Sequence, residues 1–452
     1  MNNNIDINTT SENSDLAPNG DNQVSPGYAN YVLGVLFVVY VFNFIDRQAM
    51  SVFIGPIKEE FNASDTQMGL LVGFAFALLY TVAGIPIARL ADRSNRRNII
   101  AIGLTVWSAM TIVTGLAKSF SHLVIARIGV GIGEAAGTPP AHSLIADYFP
   151  INRRATALAV YSSGVFVGSA IAYLGGGFLR EHFDWRTAFI ILGAPGLLVA
   201  LILRFTVKEP PRGLSEHRSN DSGASTFKET LKFLLSSPSW VCLMAGASCL
   251  SIIGYGIMMW GYEFYGRIHG MSPIVVGQWM ALIIGVGGCA GTLLGGVLAD
   301  RLAVSKPSHV IRIPGLLTLA GMPFGVAALL VHSSTLSLIF LFPFYMLLNV
   351  YIPPMYSANQ NLAKLNMRAT ASAIVLFIIN IVGAGAGPFI VGALSDFFAI
   401  SHGDQGLRYA LVATIAIGVI GCGIFALSSR WLRQDLQRVQ DGAIPQTLSS
   451  SV

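Results

Sequence analysis

The feature that most restricts the fold of this chain is a series of about twelve apolar runs, each long enough to cross a bilayer as a helix. Only 11% of its 452 residues are charged, whereas a soluble domain carries roughly 25%. So little charge cannot cover a water-exposed surface, and the chain must present apolar side chains to lipid. We predict an all-α membrane protein with spans at 30–56, 66–90, 98–117, 121–147, 155–179, 187–206, 238–264, 274–299, 313–332, 335–361, 369–395 and 408–429.

Polar stretches divide the chain into tails, bundles and a linker. Residues 1–28 form a polar tail that we expect to be disordered and cytoplasmic, and residues 431–452 form a second cytoplasmic tail. We expect two bundles of about six helices each, at 29–206 and 238–430. Between them, 207–237 is a polar cytoplasmic linker in which 226–235 has the pattern of a short amphipathic helix on the membrane surface.

Lys and Arg are unequally distributed between the two sets of loops. One set carries most of them, including clusters at 89–97, 153–154 and 208–232. The alternate loops carry only Lys58, Lys118, Arg180, Arg186, Arg267 and Arg408. Because basic loops stay in the cytoplasm, we expect both termini to be cytoplasmic. We expect a multi-pass protein of a bacterial-type inner membrane.

Two short motifs recur at matching places in the two halves. Leu90-Ala91-Asp92-Arg93 follows the second run, and Leu298-Ala299-Asp300-Arg301 follows the eighth. Arg154-Ala155-Thr156-Ala157 opens the fifth run, and Arg368-Ala369-Thr370-Ala371 opens the eleventh. Such repeats indicate two parallel halves, with substrate bound near the midplane between them.

Four charged residues lie inside apolar runs of the first half: Asp46 and Arg47 in the first, Arg127 and Glu134 in the fourth. A charge at membrane depth costs about 3 kcal/mol or more unless it faces a partner or a cavity. Asn43 lies one helical turn from the first pair. We predict that these residues line a polar cavity, although a purely structural ion pair would satisfy the same charges.

The chemistry of these side chains predicts a division of roles. Arg47 and Arg127 suit an anionic head group, because a guanidinium group bonds two oxygens at once. Glu134 suits proton coupling, since a buried carboxyl group can take up a proton near neutral pH. Asp46 would hold Arg47 or share that proton. The alternative is that an arginine permanently neutralises Glu134.

The apolar runs of the second half contain few ionisable groups but several aromatic and amide side chains. The candidates for substrate contact are Tyr255, Trp260, Asn349, Tyr356 and Asn380. A charged first half that faces an aromatic second half suits a substrate with a polar head group and an apolar body. Anchoring of aromatic residues at the membrane interface explains part of this pattern equally well.

The repeated acid–base motifs lie at the ends of spans that we expect to be cytoplasmic. Asp92, Arg93, Arg154, Asp300 and Arg368 are candidates for an ionic gate that closes the cytoplasmic side. The basic bias of cytoplasmic loops would explain the arginines alone. It does not explain the paired aspartates, so we favour the gate.

The loop at 88–97 resembles the signature loop of the major facilitator superfamily, with Ala88 and Asn95 in place of two glycines. We expect Asn95 to preserve the tight turn, because asparagine tolerates the left-handed conformation. Arg127 with Gly131 resembles a further element of that family. The resemblance implies the major facilitator fold, about twelve helices in two pseudo-symmetric bundles with alternating access to a central site.

Two stretches resemble, more narrowly, the Spinster-type transporters of that superfamily. They are N-F-I-D-R-Q at 43–48 and R-I-G-V-G-I-G-E-A-A-G-T-P at 127–139. The resemblance implies an amphiphilic, lipid-like substrate such as a lysophospholipid or a phosphorylated sphingoid base. The expected partners are the bilayer, this substrate and protons.

No motif in the sequence supports an enzyme, since G-x-S-x-G, H-E-x-x-H and phosphate-cradling loops are absent. We expect no cofactor, no metal, no nucleic-acid partner and a monomeric protein. The alternatives to a lipid transporter are a proton-coupled multidrug exporter or organic-anion carrier, a channel, and a membrane receptor that does not transport.

Overall fold

The computed structural model of the chain describes residues 25–211, 226–303 and 308–441, without the side chains of 92, 151, 155, 303, 365, 369, 440 and 441. The described residues form helices and turns and contain no strand. Within them, 10 helical runs are long and apolar enough to cross a membrane. One of these, Thr370–Arg430, crosses twice, and a broken helix over 120–148 adds another crossing. The prediction of an all-α protein with about twelve spans is therefore confirmed.

Each half contributes six of these spans, which we number in chain order. Spans 1 to 6 are Pro26–Val52; Asp65–Val72 with Phe74–Arg93; Arg96–Gly115; Phe120–Glu134 with Thr138–Tyr148; Ile151–His182; and Trp185–Thr206. Spans 7 to 12 are Pro238–His269; Pro273–Met280 with Ala281–Gly287 and Gly288–Ala303; His309–Leu330; Ser334–Leu348 with Ile352–Asn361; Arg368–Ile378 with Ile379–Ala386 and Gly387–His402; and Gly406–Leu427. Short helices outside the spans are Ile54–Phe61, Phe227–Leu235 and Leu432–Asp441, with single 3₁₀ turns at Leu365–Met367, Gly403–Gln405 and Ser428–Arg430.

Polar side chains cap several spans where a loop changes into an apolar run. The Ser119 hydroxyl accepts the backbone N–H of His122 at the start of span 4, and Asp184 does the same for Thr187 in span 6. Asn95 caps span 3 by accepting the N–H of Asn98, with φ at −72°. The expectation of a left-handed turn at Asn95 is therefore wrong. This residue caps the first turn of span 3 and has an extended backbone instead.

The two faces of the bundle are named here by the chain ends. The termini side is the face at which span 1 begins and span 12 ends, and the far side is the opposite face. On the termini side the Tyr28 hydroxyl donates to the carbonyl of Thr206, which joins the start of span 1 to the end of span 6. There too, Asp435 of the last helix accepts the N–H of Ser239 and caps span 7.

Several spans are irregular at membrane depth, and the irregularities of spans 2 and 4 correspond to those of spans 8 and 10 in the other half. Span 4 is interrupted at 135–137 and span 10 at 349–351. Span 2 is interrupted at Gly73, whereas spans 8 and 11 contain wider π-helical turns. Non-helical backbone at this depth is tolerated only where protein or a cavity surrounds it. The breaks lie next to Glu134 in one half and Asn349 in the other, which places polar groups near the midplane.

Candidate functional site

Arg47 and Glu134 form the centre of the site. Arg47 Nε donates to Glu134 Oε2 at 2.7 Å and so joins span 1 to span 4. The guanidinium carbon lies 4.7 Å from the ring centre of Phe76 and 4.6 Å from that of Tyr80, both on span 2. These rings stabilise the cation away from water. Glu134 is 0% exposed, and its second oxygen, Oε1, has no hydrogen-bond partner among the described residues.

Arg127 lies beside Asp46 in the same buried region. Arg127 Nη1 donates to the main-chain carbonyl of Asp46 at 3.4 Å, which is a long hydrogen bond. Arg127 Nε and Asp46 Oδ1 have no partner within the described part of the chain. Asn43, one turn before Asp46, lies beside Glu134. The sequence prediction that spans 1 and 4 bring these polar residues together is therefore matched by the structure. We call Asp46, Arg47, Arg127 and Glu134 the charged cluster.

A cavity between the two halves borders this cluster. Its lining comes from Phe44, Arg47, Gln48, Val72, Phe76 and Arg127 in the first half and from Tyr255, Met258, Met259 and Ala384 in the second. The first half thus contributes both guanidinium groups. Asn43, Asp46 and Glu134, which the sequence also predicted to line the cavity, lie behind this wall and do not border it. The second half contributes mainly apolar surface, with one phenol group. The cavity volume is about 10 Å³, room for about one water molecule. The walls suit a ligand that is charged at one end and apolar at the other, but the halves must move apart to admit it.

The structure brings two of the predicted second-half residues to the cavity region. Tyr255 lines the cavity. Tyr356, on span 10, lies close enough to Tyr255 and to Tyr80 for their phenol groups to interact electrostatically. Phenol groups from both halves, Tyr80 from the first and Tyr255 from the second, therefore lie near Arg47.

The other three residues predicted to contact substrate use their side-chain N–H groups in hydrogen bonds to helix carbonyl groups. The Trp260 indole N–H donates to the carbonyl of Pro388 at 2.9 Å, and the residue is 0% exposed. Asn349 Nδ2 donates to the carbonyl of Tyr345 four residues earlier. Asn380 bonds its own helix in the same way at 2.8 Å. None of these three lines the cavity described above.

Gln48 is a cavity residue that the sequence reasoning did not single out. Its side-chain oxygen accepts from the Tyr173 hydroxyl at 3.2 Å, but its amide nitrogen has no partner among the described residues. Its position one residue after Arg47 was the available signal. An unused donor at this place adds to the capacity of the cavity to bind an anion.

An ion-pair network joins the two halves on the far side, and it too was missed. Asp65, the first residue of span 2, accepts from Arg267 Nη1 at 2.7 Å and from Nη2 at 3.0 Å, across the interface with span 7. Ser395 on span 11 donates to the same carboxylate at 2.6 Å. Asp396 in turn accepts the backbone N–H groups of Asp65 and Thr66. Bidentate pairing with an arginine makes this contact strong and directional.

A second contact extends the network between spans 5 and 7. Glu263 accepts from Arg267 Nε at 3.2 Å and lies 3.6 Å from Arg180 Nη1. The side chains of Asp65 and Glu263 are 3% and 8% exposed, so the pairs are shielded from water. We call Asp65, Arg180, Glu263, Arg267 and Asp396 the far-side lock. It holds the halves together on that face.

The predicted gate residues lie at the ends of spans on the termini side. Arg93, Asp300 and Arg368 are exposed there. Arg154 donates to the carbonyl of Ala146 at 2.9 Å, at the end of span 4. The Asp92 side chain lies outside the described part of the structure.

A separate network on the termini side holds spans of the first half together. Arg96 donates to Glu209 at 2.7 Å and pairs with Asp147 at the end of span 4. The Arg97 N–H donates to the other oxygen of Glu209. The basic end of the 88–97 loop therefore ties spans 3, 4 and 6 together.

Comparison with known proteins agrees with this fold. The sequence model of the Major Facilitator Superfamily matches residues 36–388. The chain belongs to the major facilitator superfamily, whose members are membrane transporters and not enzymes.

Within this family the chain is similar to Spinster proteins. It is 34% identical to a bacterial homolog of the human lysosomal transporter Spinster, whose inward-facing, unoccupied crystal structure superposes with a TM-score of 0.85 and covers 91% of this chain and 99% of that one. Protein spinster homolog 1 of Xenopus tropicalis is 27% identical over 444 residues, 90% of this chain and 81% of the relative. A Mycolicibacterium smegmatis protein named MFS-type efflux pump is 36% identical over 412 residues, 91% of this chain and 95% of the relative.

Proposed function

We propose that this chain is a secondary transporter for an anionic amphiphile of the lysophospholipid or sphingoid phosphate class, coupled to protons. The observation that carries the proposal is the position of Arg47, which lines the cavity between the halves while it is paired with the buried carboxylate of Glu134. An arriving anion and Glu134 then compete for one cation. That competition links substrate binding to the charge state of Glu134.

The head group of the substrate is proposed to bind Arg47 and Arg127. The hydrogen bond of Arg47 to Glu134 uses Nε, which leaves the two Nη groups available for phosphate oxygens. Arg127 holds only a long hydrogen bond to a carbonyl. Gln48 supplies a further amide donor from the same wall. Two guanidinium groups and an amide match the several acceptor oxygens of a phosphate group.

The apolar body of the substrate is proposed to lie against the second half. Met258 and Met259 line that wall together with Ala384 and the ring of Tyr255. Methionine side chains adapt to irregular apolar shapes. A chain of CH₂ groups gains roughly 0.8 kcal/mol for each group buried. We therefore expect affinity to rise with acyl chain length.

Protonation of Glu134 is proposed to accompany substrate binding. When the anion takes Arg47, Glu134 would be left as an unpaired buried carboxylate, which is costly. Taking up a proton removes that cost. Asp46, buried in the same cluster with an unused oxygen, is a second place for the proton.

The termini side is proposed to be cytoplasmic, with the protein in a bacterial-type inner membrane. Lys and Arg are concentrated in the loops of that face, as the positive-inside rule requires. The state described here would then be closed to the outside by the far-side lock. Asp92, Arg93, Arg154, Asp300 and Arg368 are proposed to close the opposite side when the lock opens.

Labelling of single cysteines tests this orientation. Ser94→Cys, in the turn between spans 2 and 3, should react with a membrane-impermeant reagent only from the cytoplasmic side. Asn62→Cys, between spans 1 and 2, should react only from outside. The four native cysteines are replaced in the background. Reaction of both positions from the same side would contradict the arrangement of spans.

Export of amphiphilic compounds is a second candidate function. The Mycolicibacterium smegmatis relative is named an MFS-type efflux pump, and a cavity with a cationic and an apolar wall can also take an anionic drug-like compound. Both candidates use the same cavity. They differ in the preferred substrate.

Uptake into liposomes tests the proposal and separates the two candidates. Purified protein is reconstituted, a pH gradient is imposed, and transport of a labelled lysophospholipid is followed. We expect transport that collapses with a protonophore. An excess of unlabelled sphingoid phosphate should compete, whereas a short carboxylate should not. Absence of gradient-driven lysophospholipid transport, with transport of unrelated amphiphiles instead, would favour the exporter.

A further inference from the structure

A groove on the lipid-facing side of the first half lies between spans 3 and 6, away from the charged cluster. Its walls include Ile102 and Val106 from span 3 and Leu201 from span 6, and Asn98 and Arg204 lie at its termini-side end. Ile102, Val106 and Leu201 are 63%, 36% and 54% exposed, respectively. From Asn98 to Val106 the groove extends about 12 Å along the helix axis. That length is about 40% of a hydrocarbon core of about 30 Å, most of one leaflet.

Glycines let spans 3 and 6 pack closely just beyond the groove. At Gly196, an added Cβ atom would lie 2.1 Å from Ser108 Oγ, and at Gly193 it would lie 2.7 Å from the Ser108 carbonyl. Spans 3 and 6 therefore touch closely at this level. Pro195 lies between these glycines and lacks the N–H that a straight helix needs. Nearer the termini side, the exposed side chains of Leu201 and Arg204 form the span 6 wall of the groove. The two spans stay joined there, because Arg97 donates to the carbonyl of Val207.

The polar end of the groove has hydrogen-bond donors that the protein does not use. Arg204 is exposed, with its guanidinium carbon 5.8 Å from the Phe205 ring centre, and no carboxylate pairs with it within the described part of the chain. The Asn98 side-chain oxygen accepts from Arg97 Nε and Nη2. This fixes the Asn98 amide group and leaves its NH₂ free to donate. Glu209, the nearby acid, is already bound to Arg96 and to the Arg97 N–H.

We infer that this groove binds one anionic phospholipid of the membrane leaflet on the termini side. Arg204 and the Asn98 amide hold the phosphate, and an acyl chain lies along Ile102, Val106 and Leu201. A zwitterionic lipid offers the same chain, but it carries a cation beside its phosphate and gains less from Arg204. Simple snorkelling of Arg204 to the interface would orient the guanidinium group similarly, but it would not select one lipid over another. The inference does not depend on the transported substrate.

The experiment measures lipid retention by the purified full-length chain in detergent, using native mass spectrometry. Phosphatidylglycerol and phosphatidylcholine with the same chains are added in equal amounts. We expect the wild type to retain phosphatidylglycerol about tenfold better, as one charge-assisted contact predicts. Arg204→Gln should remove this preference. Thr105→Trp, which fills the groove and keeps the charge, should reduce retention of both lipids.

The matched control is Arg312→Gln, an exposed arginine near the start of span 9 on the same face of the other half. It should leave the preference unchanged. Equal losses in Arg204→Gln and Arg312→Gln would show attraction by net surface charge and overturn the site. Equal retention of both lipids by the wild type would overturn it as well. Unchanged retention in a folded Thr105→Trp variant would mean that the acyl chain lies elsewhere.

Discussion

The Glu134→Gln variant is expected to bind the anionic substrate at every pH, but to lose the pH dependence of transport. Glutamine imitates the protonated acid and does not hold Arg47 with a full charge. In the wild type, affinity should rise as the pH falls, because protonation of Glu134 frees Arg47 for the anion. In the variant, affinity should stay at its high value between about pH 5 and pH 8. Substrate binding and liposome transport, both measured across pH, test this expectation.

Removal of the arginines should act on binding itself. Arg127→Ala or Arg47→Ala deletes a guanidinium group from the cavity wall. Loss of one partner from a buried charged contact costs about 2–5 kcal/mol, which corresponds to roughly 30-fold or more in affinity. Arg47→Ala also leaves Glu134 unpaired, so its folding must be checked by size-exclusion chromatography. Arg127 is the cleaner test, because it has no comparable ion pair among the described residues.

Glu60→Gln is the control for the pH profile. This carboxylate lies outside the spans on the far side, and its hydrogen bond from Arg186 lowers the pKa of Glu60. It therefore remains charged near neutral pH and should not contribute to coupling. An unchanged pH profile in Glu134→Gln would transfer the proton site to Asp46 or leave an uncoupled uniporter.

The second large effect is expected from the far-side lock. Arg267→Ala removes the bidentate contact to Asp65 and the contact to Glu263. Breaking a buried ion pair costs about 3 kcal/mol, and a loss of that size in one conformation alone changes the ratio of two conformations about 100-fold. We expect the variant to populate a state in which the far side is open. Spin labels at Asn62 and Ser401, one on each half, should report a longer distance than in the wild type.

Arg186→Ala is the matched control for the lock. Arg186 also lies on the far side and pairs with Glu60 at 2.5 Å, but both residues belong to the first half. Its loss should leave the distance between the halves unchanged. Similar distance distributions in Arg267→Ala and the wild type would mean that packing, and not the lock, closes the far side.

Gly69 offers an independent way to open the same face. An added Cβ atom there would lie 2.5 Å from the carbonyl of Pro388 on span 11. Gly69→Val therefore cannot keep the close contact between spans 2 and 11. If the far side opens in this variant as it does in Arg267→Ala, both helix packing and ion pairs are needed to keep that side closed. If it stays closed, the ion pairs suffice.

The charged cluster was predictable because burying each of its charges in an apolar run costs free energy. A charge at membrane depth needs a partner, and spans 1 and 4 contain the only candidates that the sequence placed deep in the first half. The specific pairing of Arg47 with Glu134 was not predictable. It depends on the rotation of span 1 against span 4, which the apolar pattern leaves open.

The far-side lock was missed because its members lie at the ends of spans, where a charge costs little. Asp65 and Arg267 are separated by 202 positions. In the sequence, Arg267 stood out only as one of the loop residues that indicate the orientation of the chain in the membrane. A signal was present, since Arg180 and Arg267 lie on the face that is otherwise poor in basic residues. A basic residue on that face can serve to form an ion pair and need not set the orientation of the protein in the membrane.

The breaks in the spans also could not be read from composition. Span 2 is interrupted at Gly73, and spans 8 and 11 widen into π-helical turns over Ala281–Gly287 and Ile379–Ala386. Glycine-rich apolar stretches occur in close helix packing as well, so their presence does not distinguish a break from a contact. The internal repeat predicted the two halves but not the irregularities within them.

Proton uptake on substrate binding tests the central claim most directly. A lysophospholipid is added to the purified protein near neutral pH, and the protons taken up are counted with a pH indicator in weak buffer. We expect the wild type to take up a measurable fraction of about one proton for each substrate bound, and Glu134→Gln to take up none while it still binds. Binding by the wild type without proton uptake, or equal uptake by the variant, would contradict a substrate that competes with Glu134 for Arg47.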